Sequence, residues 1–158
     1  MGLDMVVHEI HKWEKQELNR FMTAIRAVTP TIDVNNSDSN NIDFDTLTLK
    51  NPTIPVPYQI GKELCYWRKH PDLHGWMKNL FFEKGGETES DFNHDVVWLT
   101  VKDVLNLKDA IKNDNLPKTS GFFFGNSDGR LKITDIEKAD MMLDALSKGS
   151  SIYYTSSW

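Results

Sequence analysis

The chain alternates between short apolar runs and longer segments in which apolar residues recur every three or four positions. Short apolar runs of this kind are typical of strands, and the three- to four-residue spacing is typical of amphipathic helices. The predicted strands are 2–10, 58–67, 96–99, 121–125 and the closing SIYYTSSW. The predicted helices are 11–28, 71–84, 100–113 and 134–148. This order predicts a single α+β (or α/β) domain with three to four helices packed on a small mixed β-sheet.

Local signals mark where three of these helices begin. His70 can cap the second helix, and Pro71 at its first position has no N–H that would need an intrahelical partner. Thr100 and Asp103 have the spacing of a capping box. Thr134 and Glu137 repeat that spacing, so we predict that the last helix begins there.

Residues 29–57 differ from the rest of the chain. The tract NNSDSNN favours turns, and three prolines within the last six residues of the segment oppose a central strand. A connection of this length is uncommon unless it has a function. We interpret it as a loop-rich insertion, with two hypotheses left open: a cap over a pocket, or a plain surface excursion.

Composition narrows the classes of function. A chain of 158 residues suffices for one domain, and a net charge of -5 argues against general nucleic-acid binding. Cys65 is the one cysteine, which excludes an internal disulfide and a cysteine-based zinc cluster. The sequence lacks the roughly 18 consecutive apolar residues of a membrane span. The first residues lack the basic region of a signal peptide, so we expect a cytoplasmic protein with no membrane partner.

The stretch Glu63–Phe82 concentrates the candidate chemistry. It places Arg68 and Lys69 just before a predicted helix, whose first N–H groups carry partial positive charge and favour anions. Aromatic rings beside them suit a planar group. We therefore predict a small anionic, nucleotide-like ligand, bound without a cofactor. The predicted ligand-binding residues are Tyr66, Trp67, Arg68, Lys69 and His74. The alternative is that Arg68 pairs with a carboxylate and that the tryptophans belong to the core.

A second hypothesis is an enzyme, a hydrolase or transferase acting on a phosphorylated or nucleotide substrate. Histidines and carboxylates at the ends of predicted strands and helices are the candidate general acids and bases. The candidates are His74, His94, Asp4 and Asp95, with Asp114 a further polar clamp.

The same sequence argues against two kinds of metal site. His70 and His74 have zinc-like spacing, but Pro71 places His70 outside the helix, so no metal site is predicted. An EF-hand alignment on Gly129 puts Phe124 where an acidic ligand is required.

Five pieces spread along the chain resemble a group of small, uncharacterised bacteriophage proteins. The pieces are MGLDM, YWRK with HGWM, VVWL, GFFFG and the final YYTSSW. The resemblance implies a phage or prophage accessory protein in the host cytoplasm and implies no established activity. By analogy with other small phage proteins, it suggests a counter-defence sponge for a nucleotide signal or an inhibitor of a host protein. The acidic surface and residues 29–57 would serve the inhibitor, and the closing YYTSSW strand is a candidate interface for a homo-oligomer.

Overall fold

The computed structural model describes residues 2–11, 61–127 and 129–158. Apart from His11, the helix predicted at 11–28 and the insertion predicted at 29–57 lie outside these residues. The strands are β1 (Asp4–Ile10), β2 (Lys62–Arg68), β3 (Val96–Leu99) and β4 (Ser151–Ser157). The helices are α1 (Pro71–Glu83), α2 (Glu89–Phe92), α3 (Val101–Lys112) and α4 (Lys132–Ser147).

The four strands form one sheet in the order β2-β1-β4-β3, and each described pairing is antiparallel. The predicted α+β class is therefore confirmed, although the described sheet is antiparallel rather than mixed. Helices α3 and α4 pack against each other and return the chain to the sheet beside β3. Strand β4 lies between β1 and β3, and β3 pairs with its residues 152–155, so these residues are paired on both sides.

The two faces of the sheet have different partners. One face packs against the helices through side chains such as Met5, Val7 and Tyr154, which are fully buried. On the other face Ile10, Trp98 and Tyr153 form a smaller buried cluster. Alternation along each strand therefore assigns every strand residue to one of two environments.

Two of the three predicted helix starts are confirmed. The His70 ring accepts a hydrogen bond from Leu73 N at the start of α1, with Pro71 at the first position. Thr100 and Asp103 form both bonds of the capping box at the start of α3.

The predicted start of α4 and the predicted strand at 121–125 are wrong. Helix α4 begins at Lys132. A cap at Thr134 would make Asp135 the first helical residue, so the helix begins three residues earlier than predicted. The carboxylate of Asp135 already lies in the core there, and Asp135 N bonds to Leu131 O at 2.7 Å. Residues 122–124 form a turn, closed by a 3.1 Å bond from Phe124 N to Gly121 O, so they pair with no described strand.

Gly75 gives a test of this packing. An alanine in a helix is normally more stable than a glycine by about 1 kcal/mol. Here a Cβ at Gly75 would overlap Thr119 Oγ1 and lie 2.9 Å from Thr119 Cβ. We expect Gly75→Ala to lower the free energy of unfolding by about 1–3 kcal/mol, as overpacking does.

Urea unfolding of a double-mutant cycle checks this expectation. Thr119→Gly removes the three side-chain atoms that the new Cβ would meet, so adding Gly75→Ala in that background should cost little. An equal loss in both backgrounds would contradict the proposed clash.

Candidate ligand-binding site

The N-terminal residues are held between strand β2 and the 121–125 turn. Leu3 N donates to Phe123 O at 3.2 Å, and Lys69 N donates to Leu3 O at 2.8 Å. The Trp158 ring contacts Phe124, with ring centroids 5.7 Å apart. MGLDM, YWRK, GFFFG and YYTSSW therefore meet at one end of the sheet, although they come from widely separated parts of the sequence.

Asp4, Tyr66 and Arg68 form an exposed cluster at this end. Asp4 and Arg68 are cross-strand partners in β1 and β2. Tyr66 donates its hydroxyl to Asp4 Oδ1 at 2.5 Å, which raises the pKa of Tyr66, and Arg68 Nη1 lies 3.5 Å from the same oxygen. The Arg68 side chain is 57% exposed, and this contact uses one of its five N–H donors. The carboxylate orients the guanidinium and leaves it accessible.

Lys69 adjoins this cluster in a strained conformation. Its φ of 55° lies in the left-handed region, which costs free energy for a residue other than glycine. A Cβ at Gly2 would lie 3.2 Å from Lys69 Cε and 3.6 Å from Arg68 Nη2, and a Cβ at Gly125 would lie 3.1 Å from Lys69 Cβ. Glycine at these two positions gives the cationic side chains room to lie against the backbone.

The first N–H groups of α1 are already bonded within the protein. Asp72 N donates to Ser127 Oγ at 3.1 Å, Leu73 N to His70 Nδ1 at 3.4 Å, and His74 N to His70 O at 3.1 Å. The expectation that the start of this helix offers free N–H groups to an anion therefore does not hold. The cationic groups at this strand end are the side chains of Arg68 and Lys69, and both are exposed.

His74 lies inside the core, 1% exposed. Its ring is 4.7–4.9 Å, between centroids, from the rings of Phe92, Phe124 and Trp158, and Nδ1 lies 2.9 Å from the Tyr154 hydroxyl. Burial lowers the pKa of His74 to about 4, with a smaller effect of Lys78 in the same direction, so the ring is neutral at pH 7. The structure thus separates His74 from the exposed cations with which the sequence grouped it.

Among the aromatic residues of this region, Trp67 is buried and Tyr66 is accessible. The Trp67 indole donates to Asp135 at 2.7 Å, and the Lys138 ammonium lies 4.5 Å from its ring centre. Tyr66 is 40% exposed, and Phe122 in the neighbouring turn is 96% exposed. The rings available to a ligand are therefore Tyr66 and Phe122.

The remaining candidates lie apart from this cluster. His94 precedes β3 with a φ of 68°, and its N–H donates to Ser156 O at 2.8 Å. Asp95 accepts from Val96 N at 2.7 Å, so it helps to shape the start of β3. Asp114 follows α3 and pairs with Lys132 at 2.8 Å. One strand, β4, lies between β3 and the strand of Asp4, and two strands lie between β3 and that of Arg68.

The sequence did not indicate that Ser127 would be linked to the buried side chains of His70 and Asp135. His70 Nδ1 lies 3.2 Å from Ser127 Oγ, and His70 Nε2 lies 2.8 Å from Asp135 Oδ2. In the sequence, Ser127 belongs to a turn and Asp135 to a helix start, and the two partners of His70 are 57 and 65 residues away from it. No local pattern joins them.

Metal and membrane chemistry receive no support from the residues that the structure describes. Within 2–11, 61–127 and 129–158, no three His, Cys, Asp or Glu side chains are grouped as metal ligands would be. No helix in these ranges has the length and apolar character needed to span a membrane.

A surface pocket of about 530 Å³, lined in part by Glu9, Lys148 and Ser150, lies at the opposite end of β1 from Arg68.

Comparison with known proteins gives no independent evidence of this chain's family or function. No family model, no curated protein and no solved structure matches this chain. The resemblance to bacteriophage proteins therefore stays a prediction, and the geometry of the site carries the main argument for a function.

Proposed function

We propose that the protein binds a small anionic, nucleotide-like ligand at one end of its sheet. The site is the Arg68–Lys69 surface, which we define by Tyr66, Arg68, Lys69 and Phe122. The observation that carries this proposal is the pair of consecutive cationic side chains held against Gly2 and Gly125, with Lys69 in a strained backbone conformation. Strain of this kind concentrates at functional sites.

The groups on this surface match the parts of a nucleotide. A guanidinium can hold a phosphate through two parallel hydrogen bonds, and an ammonium adds a second positive charge. An exposed aromatic ring can stack on a base, a contact worth about 1–3 kcal/mol per base. Asp4 holds Arg68 and Tyr66 in place, which lowers the entropy lost when a ligand binds.

The resemblance to phage accessory proteins suggests what such binding would achieve. A phage protein that binds a nucleotide signal without consuming it would lower its free concentration in the host cell. Such a counter-defence sponge requires no catalytic group on the Arg68–Lys69 surface. Mass spectrometry of the small molecule released by denaturing the purified protein would identify the ligand, and release of a chemically altered ligand would contradict the sponge.

Substitution of Arg68 tests the site. We expect Arg68→Ala to weaken nucleotide binding by roughly 10- to 100-fold, because a hydrogen bond to a charged group contributes about 1.5–3 kcal/mol. Lys69→Asn should weaken binding while keeping a residue that tolerates positive φ. Isothermal titration with a panel of mono- and dinucleotides measures both effects.

Lys102→Ala is the matched control, because it removes an exposed positive charge from α3 without touching this surface. Nucleotide binding should be unchanged in this variant. Equal affinities of the wild type and Arg68→Ala would place the ligand elsewhere.

A further inference from the structure

Three segments of the chain join in one hydrogen-bonded series of side chains. Ser127 Oγ lies 3.2 Å from His70 Nδ1, and His70 Nε2 lies 2.8 Å from Asp135 Oδ2. The other carboxylate oxygen, Oδ1, accepts the indole N–H of Trp67 at 2.7 Å. Asp135 is 2% exposed and His70 is 5% exposed, so water competes little for these bonds. The series has the order hydroxyl, imidazole, carboxylate.

The hydrogen bonds also determine where the protons lie. A carboxylate can only accept, so His70 Nε2 carries a hydrogen and, in the neutral ring, Nδ1 is an acceptor. Asp72 N donates to Ser127 Oγ at 3.1 Å, so the serine oxygen is itself an acceptor toward the helix. The Ser127 hydroxyl hydrogen then has His70 Nδ1 within hydrogen-bonding distance, and this nitrogen also accepts the longer bond from Leu73 N. A nucleophile, its base and a group that orients the base are in the geometry that nucleophilic catalysis requires.

The same contacts cap helix α1, and Asp135 holds the His70 ring and the Trp67 indole in place. The N–H groups of Asp72 and Leu73 need only acceptors, which Ser127 and His70 supply. A carboxylate behind the imidazole fixes its tautomer and stabilises the imidazolium that forms when Nδ1 takes a proton.

We infer that Ser127 is a nucleophilic serine, that His70 is its general base, and that Asp135 is a positioning residue. A serine activated by a histidine attacks acyl carbon, so the substrate class that we infer is the carboxylic ester. This inference concerns a different set of side chains from the Arg68–Lys69 surface and does not rest on the ligand proposed for it. The two sites are neighbours, because Gly125 packs on Lys69 and lies two residues before Ser127.

The reaction is a hydrolysis in two halves. Ser127 Oγ bonds to the carbonyl carbon and its proton passes to His70 Nδ1. The bond between that carbon and the ester oxygen breaks, and the alcohol leaves with the proton. Water then attacks the acyl carbon and gives its proton to Nδ1, and Ser127 Oγ takes that proton back as the carboxylic acid departs. Ester and water are the sole reactants, and the serine and histidine are regenerated.

A fluorophosphonate probe tests the nucleophile directly, because the serine oxygen displaces fluoride and keeps the phosphonate. Peptide mass spectrometry should place the label on Ser127 of the native protein, at a rate at least 100-fold above that of the same serine in urea. General-base assistance contributes about 10²- to 10⁴-fold, which sets this expectation. Ser127→Ala should lose the label, whereas Ser120→Ala, a change at an exposed serine of the preceding loop, should leave the rate unchanged.

Asp135→Asn tests the positioning role. We expect its Ser127 labelling rate to fall by at least tenfold, under conditions where circular dichroism shows the variant folded. Nitrogen NMR of the wild-type imidazole checks the base separately: we expect His70 to carry its hydrogen on Nε2, which leaves Nδ1 as the acceptor for the serine proton. If Asp135→Asn does not fold, the Ser127 labelling rates of the wild type in native buffer and in urea still test the nucleophile.

Two results would overturn the inference. One is labelling of native Ser127 no faster than in urea. The other is a wild-type His70 protonated on Nδ1 alone, which would leave Ser127 without a base.

Discussion

Replacing Asp135 with alanine is expected to destabilise the fold by roughly 2–6 kcal/mol, because it leaves two buried donors without an acceptor. The carboxylate accepts the indole N–H of Trp67 and the imidazole of His70, and all three side chains are buried. Alanine would leave two donors without an acceptor in a region that water does not reach. Each such unsatisfied group costs about 1–3 kcal/mol. The effect is large because the total stability of a domain is itself about 5–15 kcal/mol.

Urea unfolding, monitored by tryptophan fluorescence, measures this loss. Asp140→Ala is the matched control: it removes a carboxylate from the same helix, but an exposed one whose ion pair with Lys108 contributes at most about 1 kcal/mol. Asp135→Asn keeps one oxygen acceptor and should lie between alanine and the wild type. Similar stabilities for Asp135→Ala and Asp140→Ala would show that the network does not support the fold.

The sequence predicted those helix starts that depend on nearby residues. Thr100 and Asp103 are three positions apart, and their capping box depends on nothing farther away. The start of α4 depends instead on where Asp135 finds its partners, which lie 65 and 68 residues earlier in the chain. Periodicity and capping rules apply to neighbouring positions, so they miss a helix start that tertiary contacts determine.

The candidate site also has some features that follow from neighbouring residues and others that depend on distant contacts. Arg68 and Lys69 lie at a strand end before a helix, as the sequence predicted, and both are exposed. His74 was grouped with them because of its chemistry, whereas its position three residues before Met77 and seven before Phe81 places it on the apolar stripe of α1. Helical spacing alone could have assigned it to the core. The role of Gly2 and Gly125 was not accessible in this way, because it depends on a contact between residues that are far apart in sequence.

Acid is expected to destabilise the protein through His74 over the interval from about pH 6.5 to about pH 4. Burial lowers the pKa of His74 from 6.5 to about 4, and Lys78 acts in the same direction, while Glu89 opposes them weakly. Between these values the unfolded chain binds a proton that the folded protein does not, so the free energy of unfolding falls as the pH falls. The difference between the two pKa values corresponds to about 3 kcal/mol of unfolding free energy. The protein has lost all of this amount once the pH is below 4.

Substitution of His74 separates this contribution from that of the other titrating groups. His74→Asn keeps an acceptor for the Tyr154 hydroxyl but does not titrate, so its stability should change less between pH 7 and pH 4 than that of the wild type. Protonation of His8 changes stability in the same direction, since burial lowers the pKa of His8 too. His8→Gln therefore serves as the comparison at a partly exposed ring. Urea unfolding of the three proteins at half-unit pH intervals gives the slopes. Because Tyr154, Phe92, Phe124 and Trp158 enclose the ring, a wild-type slope unchanged by His74→Asn would mean that these groups admit water to it.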